Sequence, residues 1–488
     1  MADVEQDSER DRVLEILKAH GSHATSFQLL ESGYQYWFDP VVGQDGRAAG
    51  AVIAWVRAGR WRVAAGVPIA AGSDVGDVAG RFIQEARGQG DRVLFFSADQ
   101  AFMTALDGVV AFDSVAIGEQ PEWDPRNYSL DAKERRGLRA QVSRARNKGV
   151  TVRTVDPAEL SNNPGFRAEI ESVLHQWRDA RRMSAMRFLV DLEPFHYASE
   201  RRYYVAEHAG RAVGFLAVIP VYSRQGWFFE DMIRVPDAPN GTIEILVDAA
   251  MQAAHEHGDA YVTLGLAPLA GIPAGAGPHR LVRGTLRWCA HNLGALYGFE
   301  SLRRFKQRFR PDVWRPQYLV QSPPGIGVGS FHAVLKAFAG GGLVAFGADT
   351  VRRQAARVGG RAWAAAVWVI AALLVPWTVL LAAADGAHWF GDPSIQTGWV
   401  VFDALMVGAL TGLGRLLWRG SARGRPVAML LAGATLTDFV LTTAQAFYLH
   451  SDVAGGALLF LLAGVAGPLS ATALLVLIAA ADPRVERR

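Results

Sequence analysis

Charge is spread so unevenly along this chain that its last quarter cannot be a water-soluble domain. From Arg361 onward, 128 of the 488 residues hold eight Arg, seven Asp or Glu and no Lys, whereas the preceding 360 hold 82 charged residues. Four apolar segments fill the C-terminal part, at about 363–383, 399–417, 427–449 and 455–480. Each can supply the roughly 20 residues that cross a hydrocarbon core of about 30 Å. Arg352, Arg353, Arg357 and Arg361 precede the first segment, and the loop DGAHWFGDPSIQTG after it has no Lys or Arg. The next loop carries Arg415, Arg419, Arg423 and Arg425, the third (HSDVAGG) has no Lys or Arg, and the tail ends in Arg484, Arg487 and Arg488. Basic residues on alternate sides predict that the large N-terminal part and the C-terminus both lie in the cytoplasm. The mostly polar first twelve residues do not read as a signal peptide. Asp403 and Asp438 fall inside apolar segments, where an ionisable group is either functional or paired with a neighbouring helix.

Before residue 360 the composition is that of a soluble protein. Short β-like runs (51–57, 61–69, 92–97, 203–208, 212–222, 260–266) alternate with helical patterns at 77–89, 133–148, 166–182 and 241–257, which predicts an α/β or α+β fold. Nearly 300 residues exceed one ordinary core, and the turn-rich TVDPAELSNNPG divides them near 150–165. QSPPGIGVGS ends the globular part, and FHAVLKAFAGGGLVAF reads as an interfacial link to the first span. The resulting division is a helical extension at 1–26, lobes at 27–160 and 161–320, a linker at 321–362 and four spans within 363–482. A lone Cys289 excludes an intramolecular disulfide and a multi-Cys zinc site.

The common catalytic signatures GxSxG, GxxxxGK[ST] and HExxH are absent. His255 and His257 are spaced wrongly for one helical face, so no metal is expected there. With a net charge of +3, any polyanion must be held by local patches. Two basic clusters qualify: KERRGLRAQVSRARNKG, which contains Arg139 and Arg146, and LRRFKQRFRPDVW, which contains Arg303 and Lys306 beside Phe305 and Phe309. Either is a solvated face or a contact for RNA or lipid phosphate. A third constellation runs from WFFEDMIRVPDAPNGTIE to TLGLAPLAG. A strand delivers Glu230, Asp231 and Arg234 to its end, a turn closes on Gly241, and a helix starting at Thr242 presents its amides. Gly265 and Pro268 end the next strand where backbone can approach a ligand. Asp231 can hold an ammonium and Arg234 a phosphate; the alternative is an Asp-Arg pair that fixes the turn.

DMIRVPDAPNGTIE, TLGLAPLAG and LYGFESLRRFKQRFRPDVWRPQYLV, in that order, resemble the synthase domain of the lysyl-phosphatidylglycerol synthases. GVPIA, AIGEQPEWDPRNYSL and LRAQVSRARNKGV resemble the matching blocks upstream, so the likeness spans roughly 27–320. That resemblance implies an α+β fold of tandem N-acetyltransferase-like (GNAT) lobes, the second catalytic, followed here by a four-helix transmembrane region. It implies transfer of an amino acid from aminoacyl-tRNA to the hydroxyl of an anionic phospholipid at a bacterial inner membrane, with no cofactor. In that reading Asp231 binds the substrate ammonium and Arg234 a phosphate or the reacting carbonyl. Glu119 and Glu244 are secondary polar candidates, and Arg303, Lys306, Arg139 and Arg146 meet tRNA or lipid phosphate. Two departures stand out: the family's membrane segment usually precedes the synthase domain, and Gln317 stands where the family tends to have Arg. An acyl-CoA-dependent N-acyltransferase and a non-catalytic RNA- or lipid-binding protein remain as alternatives, although no [QR]xxGx[GA] loop precedes the helix at Thr242.

Overall fold

A computed structural model describes residues 2–40, 50–71, 74–181, 186–190, 192–270, 299–355, 358–386, 392–449 and 456–480. Cys289, the third membrane loop and the Arg-rich tail lie outside the described residues. Contacts divide the chain into two units, with the boundary between Leu343 and Val344.

The first unit is built on one mixed sheet. Its strands are β1 (Gln35–Phe38), β2 (Val52–Arg57), β3 (Trp61–Ala65), β4 (Arg92–Ala98), β5 (Asp113–Trp123) and β6 (Thr151–Val155). They continue with β7 (Arg202–His208), β8 (Arg211–Val221), β9 (Gly226–Arg234), β10 (Tyr261–Thr263), β11 (Ala267–Pro268) and β12 (Val313–Ser322). The spatial order is β1-β2-β3-β4-β12-β5-β10-β9-β8-β7-β6, with β11 beside β5. Two features join its halves. β12, from the end of the unit, lies antiparallel between β4 and β5, and the three-residue β10 pairs antiparallel with β5 and parallel with β9.

The helices used below are α1 (Ala2–His20), α2 (Val75–Gly88), α3 (Arg136–Asn147), α4 (Pro164–Ala180), α5 (Thr242–Glu256) and α6 (Phe299–Gln307). The expected helical patterns match α2 to α5 within three residues at each end. Local chemistry sets the starts: Pro164 opens α4 while the Asn163 side chain accepts from the Phe166 amide. On α3, Leu138 and Val142 are buried as their spacing of four predicts. Two expected strands are shorter than their apolar runs. The run at 61–69 ends at Ala65 because Gly66 turns out with φ +77°, and the run at 260–266 ends at Thr263 before Gly265 at φ +72°.

The first unit has three buried clusters, and alternation along β4 sends Phe95 to one and Leu94 to another, which also holds Phe27, Phe188 and Tyr261. Trp37, Phe82, Phe95 and Phe102 meet in the first of these, and Tyr203, Phe215, Phe229 and Phe309 in the third. α1 is part of the body, because Val13 and Leu17 are fully buried. Within the segment expected to link the units, Val328–Phe338 is a helix that buries Ala333, Val334 and Ala337 and packs Phe338 edge-on against Phe96 and Phe188.

The second unit contains α7 (Gly360–Ala383), α8 (Pro393–Trp418), α9 (Gly424–Leu449) and α10 (Gly456–Ala480). Among the described residues three helical stretches are long and apolar enough to cross a membrane: Gly360–Ala383, Pro393–Trp418 and Gly424–Ala444. Ala466–Ala480 adds a shorter apolar stretch, so the expected four is matched only approximately. By length and composition this unit is membrane-associated.

The joint at β10 allows a direct test. Gly226 lies opposite Tyr261, and a Cβ there would be driven into the Tyr261 carbonyl. Gly226→Ala should therefore lose roughly 2 kcal/mol or more of stability, read by denaturant unfolding of the first unit. An unchanged midpoint would mean that the joint yields.

Candidate active site

Pairing between β9 and β10 ends at Phe228 opposite Thr263. Past that point β9 continues toward Arg234 without β10, still paired with β8 on its other edge, while the other strand turns at Gly265 and pairs with β5 through Ala267 opposite Glu119 and Pro268 opposite Gly118. Two parallel strands thus part at their carboxyl ends, a position where open sheets commonly hold ligands. Gly265 has no room for a Cβ, which would overlap the Phe228 ring. The Gly265 amide donates to the Thr263 hydroxyl at 3.0 Å, and that hydroxyl donates to the Pro121 carbonyl at 2.8 Å, so the turn is tied to β5.

On the β9 side stands a group of buried carboxylates. Asp231 lies opposite Ala217 and Phe229 opposite Val218, which makes Glu230 the extra residue of a bulge and re-aims its side chain. Glu230 is gripped by Arg201 at 2.9 Å and by the Gln28 amide at 2.7 Å, all three well buried. Glu31, only 2% exposed, belongs to the same group, and its Oε2 has no hydrogen-bond partner. Burial first, then the charge of Glu230, push its carboxyl well above the usual range; Arg201 opposes them, and Asp231 and Glu193 add to the rise. Asp231 is itself 6% exposed. Glu31 and Arg201 were missed in the sequence, because Glu31 sits in an irregular turn some 200 residues before β9 and only the fold brings them together.

On the opposite side are α6 and the turn after β10. Lys306 is 2% exposed and donates to the carbonyls of Gly265 and Leu266, each at 2.8 Å. Its role in this geometry is to clamp the turn, and burial pushes its ammonium down to about 7. Arg303 reaches Glu119 at 3.2 Å and lies over Trp314. Asp231, Glu119, Gly265, Pro268, Arg303 and Lys306 therefore gather around the parted strands.

The remaining candidates are placed elsewhere. Arg234, three residues beyond Asp231 on an alternating strand, points to the other face and donates to the Ala238 carbonyl at 3.1 Å. Thr242 is fully buried, with its hydroxyl on the Pro239 carbonyl at 2.7 Å. Gly241 has φ +98°, and a Cβ there would meet the Gln141 carbonyl of α3. Glu244 pairs with Arg308 at 3.0 Å. Arg139 and Arg146 lie on α3, where Arg146 is 3.6 Å from the buried Asp248 and Arg139 is 3.5 Å from Asp131. Gln317 is buried and accepts from the Ser97 hydroxyl at 3.0 Å.

Two measurements probe this arrangement. Arg201→Met leaves Glu230 buried among other carboxylates and should cost about 3 kcal/mol or more, whereas Glu31→Gln replaces a carboxyl whose charged form burial and Glu230 already disfavour and should be neutral or stabilising; thermal unfolding of both variants reads the contrast in sign. For Lys306, the folded chain binds fewer protons than the unfolded chain from pH about 7 up to the ordinary lysine value of 10.5. Its burial penalty is thus full below 7 and fades as pH rises through that window. Stability of the parent relative to Lys306→Met should rise across it, and a difference independent of pH would count against a neutral buried amine.

Residues 14–321 match the family model described as "Phosphatidylglycerol lysyltransferase, C-terminal". A phosphatidylglycerol lysyltransferase from Bacillus subtilis is 28% identical over 242 residues, covering 49% of this chain and 27% of that protein. The lysylphosphatidylglycerol biosynthesis bifunctional protein LysX of Mycolicibacterium gilvum is 28% identical over 295 residues, covering 56% of this chain and 26% of that protein. The chain thus spans about a quarter of the length of these curated relatives. Among solved structures, L-PGS from Bacillus licheniformis superposes with a TM-score of 0.55 at 22% identity, covering 67% of this chain and 95% of that one. A C-terminal DUF2156 domain from Agrobacterium fabrum gives 0.57 at 22%, covering 69% and 98%. Both share the α+β fold of the first unit.

Proposed function

The chain belongs to the phosphatidylglycerol lysyltransferase C-terminal family, and from that premise we propose that it transfers an aminoacyl group from aminoacyl-tRNA to a hydroxyl of phosphatidylglycerol or a similar anionic lipid. The observation that carries the reading is the buried carboxylate group at the parted end of β9. Arg201 pairs with Glu230 at 2.9 Å, its charge also acts on Glu31, and Glu31 retains a buried carboxylate oxygen, Oε2, that accepts no hydrogen bond among the described residues. An ammonium answers that need, and the amino group of an aminoacyl ester supplies one.

The reaction exchanges one ester for another. The lipid hydroxyl oxygen attacks the aminoacyl carbonyl, an oxyanion forms and collapses, and the terminal ribose hydroxyl of tRNA leaves with the proton that the lipid hydroxyl gave up. No redox change occurs, so the protein has to position the two substrates and stabilise the oxyanion. Holding the ammonium at Asp231 fixes the ester carbonyl a few bonds away, toward the turn that Lys306 clamps. Arg303 at the rim, with Arg136 and Arg144 exposed on α3 and Lys148 exposed just past its end, supports contact with tRNA or lipid phosphate. The alternation of basic residues around the apolar helices supports a cytoplasmic first unit, on the side where charged tRNA is found.

Asp231→Asn should lower transfer of labelled amino acid from aminoacyl-tRNA to phosphatidylglycerol vesicles by roughly a hundredfold, the order expected for losing a buried charged contact. RNase added before the reaction should abolish the signal. A normal rate in the variant would remove Asp231 from the site, and a signal from acetyl-CoA on an amine that survives RNase would favour the acyl-CoA alternative.

A further inference from the structure

Among the large apolar side chains that the first unit exposes, two stand apart. Val328 is 88% exposed and Leu335 59%, whereas Val109 and Val190 reach only 37% and 38%. Single exposed apolar residues are ordinary on any surface, but these two are seven apart on one helix, Val328–Phe338, and so project from the same face. Phe331, half-buried, lies between them. The opposite face is committed to the core through Ala333, Val334 and Ala337. The start of the helix is held as well: Asp113 accepts from the amides of Gly325 and Ile326 at 2.9 and 3.3 Å, and the Ser330 hydroxyl donates to Gln321. The apolar stripe is therefore a fixed part of the surface. An aromatic ring and basic groups border it. A Cβ on Gly329 would lie 3.9 Å from the Trp61 ring, the Arg92 guanidinium stacks on that ring at 4.6 Å, and Arg60 is exposed beside it. No Asp or Glu occurs from Val313 to Ala348, a stretch that contains Lys336.

We propose that this face of Val328–Phe338 docks the first unit on an anionic bilayer surface, with Val328, Phe331 and Leu335 among the upper acyl chains and Arg60, Arg92 and Lys336 at the lipid phosphates. An apolar helix face rimmed by basic residues and a Trp is the composition that lies in the headgroup boundary. The sequence marks the segment only as interfacial; packing on the core selects which side chains reach lipid. The chain also passes from this helix into an apolar span within residues 339–359, which keeps the stripe near a bilayer. A second copy of the chain is a poorer occupant. Eleven residues make a helix about 16 Å long, whose exposed face falls well short of the roughly 800 Å² per partner that a stable dimer buries. The docking is independent of the chemistry at Asp231.

The test reads depth from nitroxide labels on the full chain. Val328→Cys, Leu335→Cys and a control, Val109→Cys, are each combined with Cys289→Ser, labelled and reconstituted into vesicles containing phosphatidylglycerol. Collisions with oxygen, which concentrates in the acyl region, are compared with collisions with a water-soluble nickel chelate, which is excluded from it. The ratio of oxygen to nickel collisions at 328 and 335 should be several-fold higher than at 109, placing both labels about 5–10 Å into the boundary between headgroups and acyl chains. Both should become shallower when phosphatidylcholine replaces phosphatidylglycerol. Two labelled positions guard against a local disturbance by either label. Free access of both reagents to 328 and 335 would put the face in water and overturn the proposal. Exclusion of both reagents would put it against protein, whether a second copy or the membrane unit, and overturn it equally. Unchanged depth in phosphatidylcholine would overturn the part given to Arg60, Arg92 and Lys336.

Discussion

The sheet of the first unit runs unbroken from β5 to β9 through β10, and a buried contact closes it there. Glu122 of β5 is buried and held by both guanidinium nitrogens of Arg224, at 3.0 and 3.2 Å, while the Arg224 plane lies over Tyr261 of β10. Tyr261 also donates to Glu122, and the Gln120 amide donates to Tyr261 at 3.0 Å. Burial alone would raise the Glu122 carboxyl, but the Arg224 hydrogen bonds and charge hold it below the usual range. A bidentate, ring-stacked Arg suits such a joint because its planar fork matches the carboxylate and its face matches the ring. Three residues of strand pairing are little to join two halves of a sheet, and this network supplies the rest.

The joint also explains why the site lies where it does. β10 is short because Gly265 turns the chain away toward β5, and β9 then runs on without a partner on that side. The same event that limits the pairing opens the strands next to Asp231. On one side are the carboxylates Glu31, Glu230 and Asp231 around Arg201, and on the other a clamped turn and a basic rim. Charge of opposite sign on the two sides suits a substrate with an ammonium at one end and phosphates at the other.

Several sequence readings concern residues whose type was informative and whose placement was not. Lys306 sits in a basic run and reads as a phosphate contact, but the helical period turns it inward, where its ammonium meets two backbone carbonyls. Thr242 and Gly241 read as an anion site at a helix start, yet the hydroxyl bonds within the turn and the glycine makes room for α3. A strand alternates faces, so Asp231 and Arg234 could not share one site from a regular β9. Motif spacing carries no information about which face of an element is covered by another element.

What the sequence determined by itself are the properties that depend on local composition and period. The break in charge density marks the membrane unit, short apolar runs mark strands such as β4 and β8, a spacing near four marks α3, and the ordered motif blocks mark the family. Only the tertiary structure decided that Glu31, Arg201 and Glu230 meet beside Asp231, that β12 enters the sheet between β4 and β5, and that Asp403 and Asp438 line one cavity. Each of these brings together residues distant along the chain, and their meeting is set by strand order and helix packing, which no local pattern encodes.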